Sequence, residues 1–309
     1  MIEFLYYFLI MPGLLFTAVA GLLSTWIDRK VTARIQWRRG PSWYQPFADI
    51  LKLLGKETFV PKGPAKIAFI STPMLGLIAV PIVSAMLWHS NINSNAGYLG
   101  NLVVVILLLT VPSLALIMGG SVSKNPLSAL GVKRELRLLS AYELPFVIAV
   151  LAVAVKTNSI LLGGIASHQL IHGMNIASIS GSIAFLVSLM VAQAQLGFVP
   201  FESTEAEQEI EGGPMLEYSG KLLAAFKLVK AMLLFTLPVL LITLFLGGVN
   251  AYTLSGALWF ILKYIIILTL IILIKNTNPR IRIDQAVRFF RWPMTILALI
   301  ALVLALKGW

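Results

Sequence analysis

The sequence predicts an all-α integral membrane protein: about eight transmembrane helices, a cytoplasmic-side amphipathic helix and a short helix in an acidic loop. Three observations carry this. Hydrophobic residues make up 58% of the chain and charged residues 12%, outside the balance of soluble domains. Apolar runs close to the ~20 residues that a helix needs to cross a bilayer recur at roughly 4–27, 67–89, 99–121, 138–156, 180–199, 224–246, 256–274 and 292–306. Of 24 Lys and Arg, nine fall in 28–66, four in 122–137 and five in 275–291.

The first run begins Met1-Ile2-Glu3 and lacks the basic start of a secretory signal, so it is expected to be a retained membrane helix. Basic connections stay cytoplasmic. The odd-numbered connections therefore face the cytoplasm and both termini face outside. The net charge of +11 reads as topology, with no nucleic-acid partner implied. No linker or low-complexity stretch divides the chain, so 1–309 is read as one polytopic membrane domain.

In 45–57, "QPFADILKLLGKE", Phe47, Ile50, Leu51 and Leu54 follow helical spacing. Asp49, Lys52 and Lys56 take another face. This pattern predicts an amphipathic helix at the membrane surface. The fourth run carries Glu143 in "SAYELPF" and the seventh carries Lys263 in "WFILKYIII". Ionisable groups inside a span are costly and are functional candidates by default. For Glu143 the alternatives are a proton relay and a structural partner to a basic residue. His168 and His172, four apart, are expected to share a helix face.

The acidic loop is "PFESTEAEQEIEGGPMLEYSG", Pro200 to Gly220. It holds Glu202, Glu205, Glu207, Glu209, Glu211 and Glu217, six of the chain's 13 acidic residues. Thr204 and Glu207 have capping-box spacing, and Gly212-Gly213-Pro214 would stop the helix they start. Glu202, Glu205 and Glu209 would then share one side. If the loop borders a protein-lined cavity, desolvation and like charge raise and couple these pKa values. The group then takes up and releases protons near neutral pH. The candidate proton pathway is these six carboxylates with Glu143 and Lys263.

A second polar set is basic: Arg29, Lys30, Arg34, Arg38 and Arg39 with Asp49, and Arg280 and Arg282 with Asp284. Arg gives planar bidentate hydrogen bonds to carboxylates, so this set is expected to dock a partner. The chain has no Cys, so it offers no thiolate for an iron–sulfur cluster. No phosphate loop, nucleophilic triad or metal-ligand set is present either. No catalytic, cofactor-binding or metal residue is assigned, and any redox centre belongs to another chain.

Four stretches together resemble a known family: "DRKVTARIQWRRGP" with "QPFADILKLLGKETFVP", then "LLSAYELPF", the acidic loop, and "NPRIRIDQAVRFFRW" (278–292). They resemble the membrane subunit of respiratory complex I called the H subunit or subunit 1. They also resemble its counterparts in energy-converting hydrogenases and archaeal membrane-bound sulfane reductase complexes. The resemblance implies a membrane anchor beneath a redox arm, with iron–sulfur clusters and catalytic subunits on that arm and antiporter-like membrane subunits beside it. It also implies that the acidic loop and buried carboxylates link electron transfer to proton or sodium translocation.

The short "GPSWYQPF" connection looks like the hydrogenase-related branch. Asp28 stands where complex I members commonly carry Glu, and Ser203-Thr204 where an acidic residue is frequent. The preferred holoenzyme is ferredoxin-dependent and reduces protons or a sulfur compound. The alternatives are the quinone-site subunit of an NADH-quinone oxidoreductase and, from another class, a stand-alone ion transporter.

Overall fold

Apolar side chains all round a helix leave it no preferred face, so such helices bury themselves in one another or in lipid. The computed structural model follows that rule. It describes residues 9–10, 12–61, 65–92, 100–204, 207–249 and 253–308, with the side chains of Glu207 and Gln208 outside the description. The long helices are α1 (Leu14–Ile35), α3 (Lys66–Ile92), α4 (Leu102–Val122), α5 (Pro126–Thr157), α7 (Ile179–Gln195), α9 (Gly220–Phe245) and α10 (Leu254–Thr277). An eighth is composite: α11 (Ile283–Phe289), a π-helical turn (Phe290–Met294) and α12 (Thr295–Leu306). Shorter elements are α2 (Gln45–Leu54), α6 (Leu162–His172) and α8 (Glu207–Ile210).

The chain is a multi-pass membrane protein. Among the described residues, α3, α4, α5, α9, α10 and Ile283–Leu306 are long and apolar enough to cross a membrane. Helix α7 is shorter, at 17 residues. Helix α1 has 22 residues but carries Asp28, Arg29, Lys30 and Arg34 in its last turns.

Two boundaries differ from the sequence reading. The stretch 122–137 is mostly helix rather than connection. Pro126 sits at the first helical position, where its missing N–H costs nothing, and Asn125 accepts the Leu127 N–H at 2.9 Å as the N-cap. The last span begins at Ile283, well before the apolar run. Pro293 cannot donate to the helical ladder, and the chain absorbs this in the π-turn. There the Thr295 hydroxyl donates to the Phe290 carbonyl at 2.9 Å.

Helix α9 is the axis of the bundle. It is almost wholly buried, and α1, α2, α3, α6, α7 and α10 pack on it. Gly21 makes the α1 crossing close: a Cβ there would lie 2.4 Å from the Ala231 carbonyl oxygen. Helix α5 forms a second centre, packed on α4, α7 and α12.

Long-range polar contacts sort the connections into two ends. At one end Arg29 pairs with Asp49, Phe59 N–H donates to Ser219, and Arg134 and Arg280 meet the acidic loop. At the other end Asn91 and Gln169 hold the end of α9, and Lys263 Nζ donates to the Leu246 carbonyl at 2.5 Å. The three Lys/Arg-rich stretches and the acidic loop thus gather at one end.

Candidate functional site

The acidic loop is tied to the bundle at both of its ends by aromatic side chains. Phe201 is buried and packs on Phe290, ring centroids 4.7 Å apart. Tyr218 stacks on Phe69 at 4.1 Å with the planes 2° apart, and its hydroxyl lies 3.0 Å from the Thr72 hydroxyl. Just before the first anchor, the Pro200 carbonyl accepts from the Ile281 N–H at 3.1 Å. Burying large rings is worth ~1.5–3 kcal/mol each, so the loop is a packed element.

The described loop carboxylates do not form one like-charged face. Helix α8 is a single turn, closed by Glu211 at φ 50° and Gly212 at φ 93°. Glu202 precedes it, so Glu202 and Glu209 do not share a helix side. Glu205 lies outside the described residues, as does the side chain of Glu207, and with it the expected Thr204–Glu207 cap. The Gly212-Gly213 pair is also confined on one side: Gly213 has φ 56°, and a Cβ there would lie 2.3 Å from the Thr204 carbonyl oxygen.

Glu209 is gripped from two sides. Its carboxylate accepts from Arg134 at 2.6 Å and pairs with Arg280 at 2.9 Å. Arg134 also donates to the Ser203 carbonyl at 3.0 Å. The Arg134 hydrogen bond, together with the Arg280 charge, holds the Glu209 carboxyl below its ordinary range. This reverses the expected upward shift, because the nearest charged neighbours of Glu209 are cations rather than other carboxylates. Glu217 accepts from the Asn125 amide at 2.6 Å, and Glu211 is exposed.

The basic set divides. Arg29 pairs with Asp49 at 2.8 Å, which ties α2 to α1, and Lys30 lies over the Trp26 ring. Arg280 is committed to Glu209, while Asp284 meets Arg137 at 3.8 Å. Arg34, Arg38, Arg39 and Arg282 are exposed. A cleft of about 530 Å³ opens between the acidic loop and residues 280–284, lined by Arg134, Ser203, Glu209, Arg280, Arg282 and Asp284.

Glu143 is half-buried in α5 and makes no ion pair with any described residue. Lys263 sits at the far end of the bundle, where it donates to the carbonyl of Leu246, the C-cap of α9, a favourable place for a cation. The structure does not bring it near the acidic loop. His168 and His172 do share a face of α6, stacked at 4.3 Å. Among the described residues no group of three or more His, Asp or Glu could hold a metal ion.

The structure adds residues that the sequence reading does not single out. Glu135 is 7% exposed. It lines a small cavity of about 50 Å³ with Lys230, Gln195, Ser113 and Thr204. That space exceeds the ~10–15 Å³ that one water requires. The Gln195 side-chain oxygen is buried with no hydrogen-bond partner among the described residues. Ser113 lies 3.2 Å from the hydroxyl of buried Tyr142, the neighbour of Glu143. Polar groups thus run from the acidic loop through Glu135 to Tyr142. Asp28, also buried, accepts from Lys275 at 2.8 Å, and Lys275 lies over the Phe198 ring. The signal for Glu135 is its spacing: seven residues before Tyr142, it shares that residue's helix face. That spacing carries no meaning while 122–137 is read as a connection, and it gains one when α5 begins at Pro126.

Known proteins match this architecture along its length. Residues 8–306 match the family model described as NADH dehydrogenase. The H subunit of NADH-quinone oxidoreductase from Dehalococcoides mccartyi is 30% identical over 97% of this chain and 86% of that protein. The corresponding protein of a Geobacillus species is 34% identical over 88% and 85%. A chain in the solved structure of the membrane-bound sulfane sulfur reductase, an archaeal respiratory membrane complex, superposes with a TM-score of 0.87. It is 31% identical, and the match covers 99% of this chain and 100% of that one. With matches of this length and an all-helical fold, the chain belongs to the NADH dehydrogenase subunit 1 family, the membrane subunits of complex I-like complexes.

Proposed function

We propose that this chain couples electron transfer in a docked iron–sulfur arm to proton or sodium translocation across the membrane. The observation that carries the reading is the Glu135 cavity. It joins the acidic loop, through Thr204, to the interior of α5. Glu135 and Glu143 are eight residues apart on one helix, about 12 Å along its axis. Water in the cavity would bridge the first part of that distance, and the Ser113–Tyr142 pair lies along the rest. The absence of an ion-pair partner for Glu143 among the described residues favours a relay over a structural ion pair.

The 280–284 cleft and the exposed arginines of 34–39 are the docking surface for the arm, whose clusters supply the redox centres. Antiporter-like subunits would pack on the lipid-facing helices. The arm end is cytoplasmic, with both termini outside. The full-length match to the sulfane reductase chain supports that branch, with ferredoxin as donor and a sulfur compound or protons as acceptor. The bacterial relatives are longer, the match covering 86% of the Dehalococcoides protein. The reading treats 1–309 as one polytopic unit.

The test is Glu135→Gln in the intact complex, with ion translocation and electron transfer measured together. Glutamine keeps the shape but cannot carry a proton. Translocation per electron should fall at least about tenfold, the scale of one lost proton-transfer group. Wild-type translocation in an assembled variant overturns the reading.

A further inference from the structure

The end of the bundle opposite the acidic loop, where Gln169 holds α9, also carries two of the chain's three histidines. His168 and His172 stand four apart on α6, so helical pitch puts them on one face. Their rings stack with centroids 4.3 Å apart and planes 17° apart. The His172 Nδ1–H donates to the His168 carbonyl at 3.3 Å. That bond fixes the tautomer, with the proton on Nδ1 and the lone pair on Nε2. A backbone carbonyl held by the other ring nitrogen is a common support of a metal-binding imidazole. The His168 Nδ1 is buried and has no hydrogen-bond partner among the described residues, so Nε2 is the nitrogen through which this ring meets a ligand. His172 is exposed and His168 half-buried, which leaves the pair open to solvent on one side.

We propose that His168 and His172 form an exchangeable site for a divalent transition-metal ion of the zinc class, bound through both Nε2 atoms with water completing the coordination. Imidazole nitrogen suits zinc, copper and nickel, whereas magnesium and calcium require oxygen ligands. Zn–N bonds of ~2.0–2.1 Å set the two nitrogens on a tetrahedral ion about 3.4 Å apart, so the stacked rings need only tilt together at their outer edges. Two protein ligands are half of a structural zinc set, which makes the ion exchangeable rather than resident. Burial, then the His172 ring and the Lys156 ammonium, hold the proton affinity of His168 below its ordinary value. The ring is therefore mostly neutral at pH 7, the form that ligates. The same ammonium repels a cation, a second reason for reversible binding. Gln169 lies between the two ligands in the chain. Its side chain accepts from the Gly247 N–H at 2.8 Å and donates to the Thr243 carbonyl at 2.9 Å. A chelate across that turn fixes the residue that caps the end of α9. The proposal does not depend on the ion-translocation reading.

The experiment is histidine footprinting of the intact complex, washed briefly with a chelator to remove loosely bound metal. Diethyl pyrocarbonate acylates neutral imidazole, and the modified peptides are quantified by mass spectrometry as zinc is added. At ten times the zinc concentration of the titration midpoint, labelling of His168 and His172 should fall together about tenfold, the free fraction that such occupancy leaves. Magnesium should protect neither ring. In His172→Gln the zinc midpoint for His168 should rise at least about tenfold, and in His168→Gln that for His172 should do the same. Unprotected rings in the wild-type complex, protection of one ring alone, equal protection by magnesium, or a His168 that does not react without zinc overturns the proposal. These comparisons need no variant. An unchanged midpoint in either variant overturns it as well. So does protection by inorganic phosphate in place of zinc, which would make Lys156 and the two rings an anion site.

Discussion

Glu209 and Arg134 lie 75 positions apart in the chain and meet at 2.6 Å. That contact, with Arg280 on the other carboxylate oxygen, joins the acidic loop to α5 and to residues 280–284. It turns a run of carboxylates that looks self-repelling into a clamped element.

The first prediction concerns this clamp. Glu209→Gln keeps one hydrogen bond but loses the charge. Half-exposed ion pairs are weak, so amide exchange in residues 203–211 should quicken only roughly two- to fivefold. The pH dependence has a definite sign. A carboxylate pKa held below its ordinary value stabilises the folded loop above that range and loses this contribution as pH falls through the lowered value. Protection, corrected for intrinsic exchange, should therefore stay flat from about pH 5.5 to 8 and drop only in acid. A drop near neutrality would show a proton-exchanging Glu209 instead.

The second prediction concerns Asp28 and Lys275, which pair at 2.8 Å across 247 positions with Asp28 almost wholly buried. Lys275→Met leaves a carboxylate buried without its cation, a loss of about 3 kcal/mol or more. The complex should melt at lower temperature. Adding Asp28→Asn should restore much of the loss, since it removes the orphaned charge. If the double variant is worse than the single by the full Asp28 effect, the pair is not coupled.

The third prediction separates charge from shape in docking. Arg34→Lys and Arg282→Lys preserve charge but not the planar fork. If these side chains hold the redox arm by paired hydrogen bonds, arm retention during purification should fall severalfold, about 1 kcal/mol for each lost contact. Full retention would leave the arginines as topology determinants only.

The fourth prediction is topological. If the chain crosses the membrane eight times, as the sequence reading expects, its termini share a side, and the basic connections would put the acidic-loop end in the cytoplasm and both termini outside. A phosphatase fused after Trp309 should be active outside the cell, and a fluorescent protein there should be dark. A bright cytoplasmic fusion would overturn this arrangement, through either an odd number of crossings or an inverted orientation.

Much of this protein is determined by its sequence alone. Long apolar runs can satisfy backbone hydrogen bonds in lipid only as helices, so the class and the approximate spans can be read directly. The alternation of basic connections groups 28–66, 275–291 and the acidic loop, and these meet at one end of the bundle. The amphipathic helix at Gln45–Leu54 follows from side-chain spacing, and the motifs around Asp28, Glu143, the acidic loop and Arg282 identify the family. These are local properties, legible because bilayer thickness and helical pitch act on neighbouring residues. The partner of each charge is decided only by tertiary structure. Glu135 looks like a loop residue until α5 starts at Pro126 and carries it inward beside Gln195 and Lys230. Glu209 looks like one of several equivalent proton carriers until Arg134 and Arg280 close on it. A carboxylate's proton affinity depends on the charges and water within a few ångströms, and in a helical bundle those neighbours come from segments tens to hundreds of residues away.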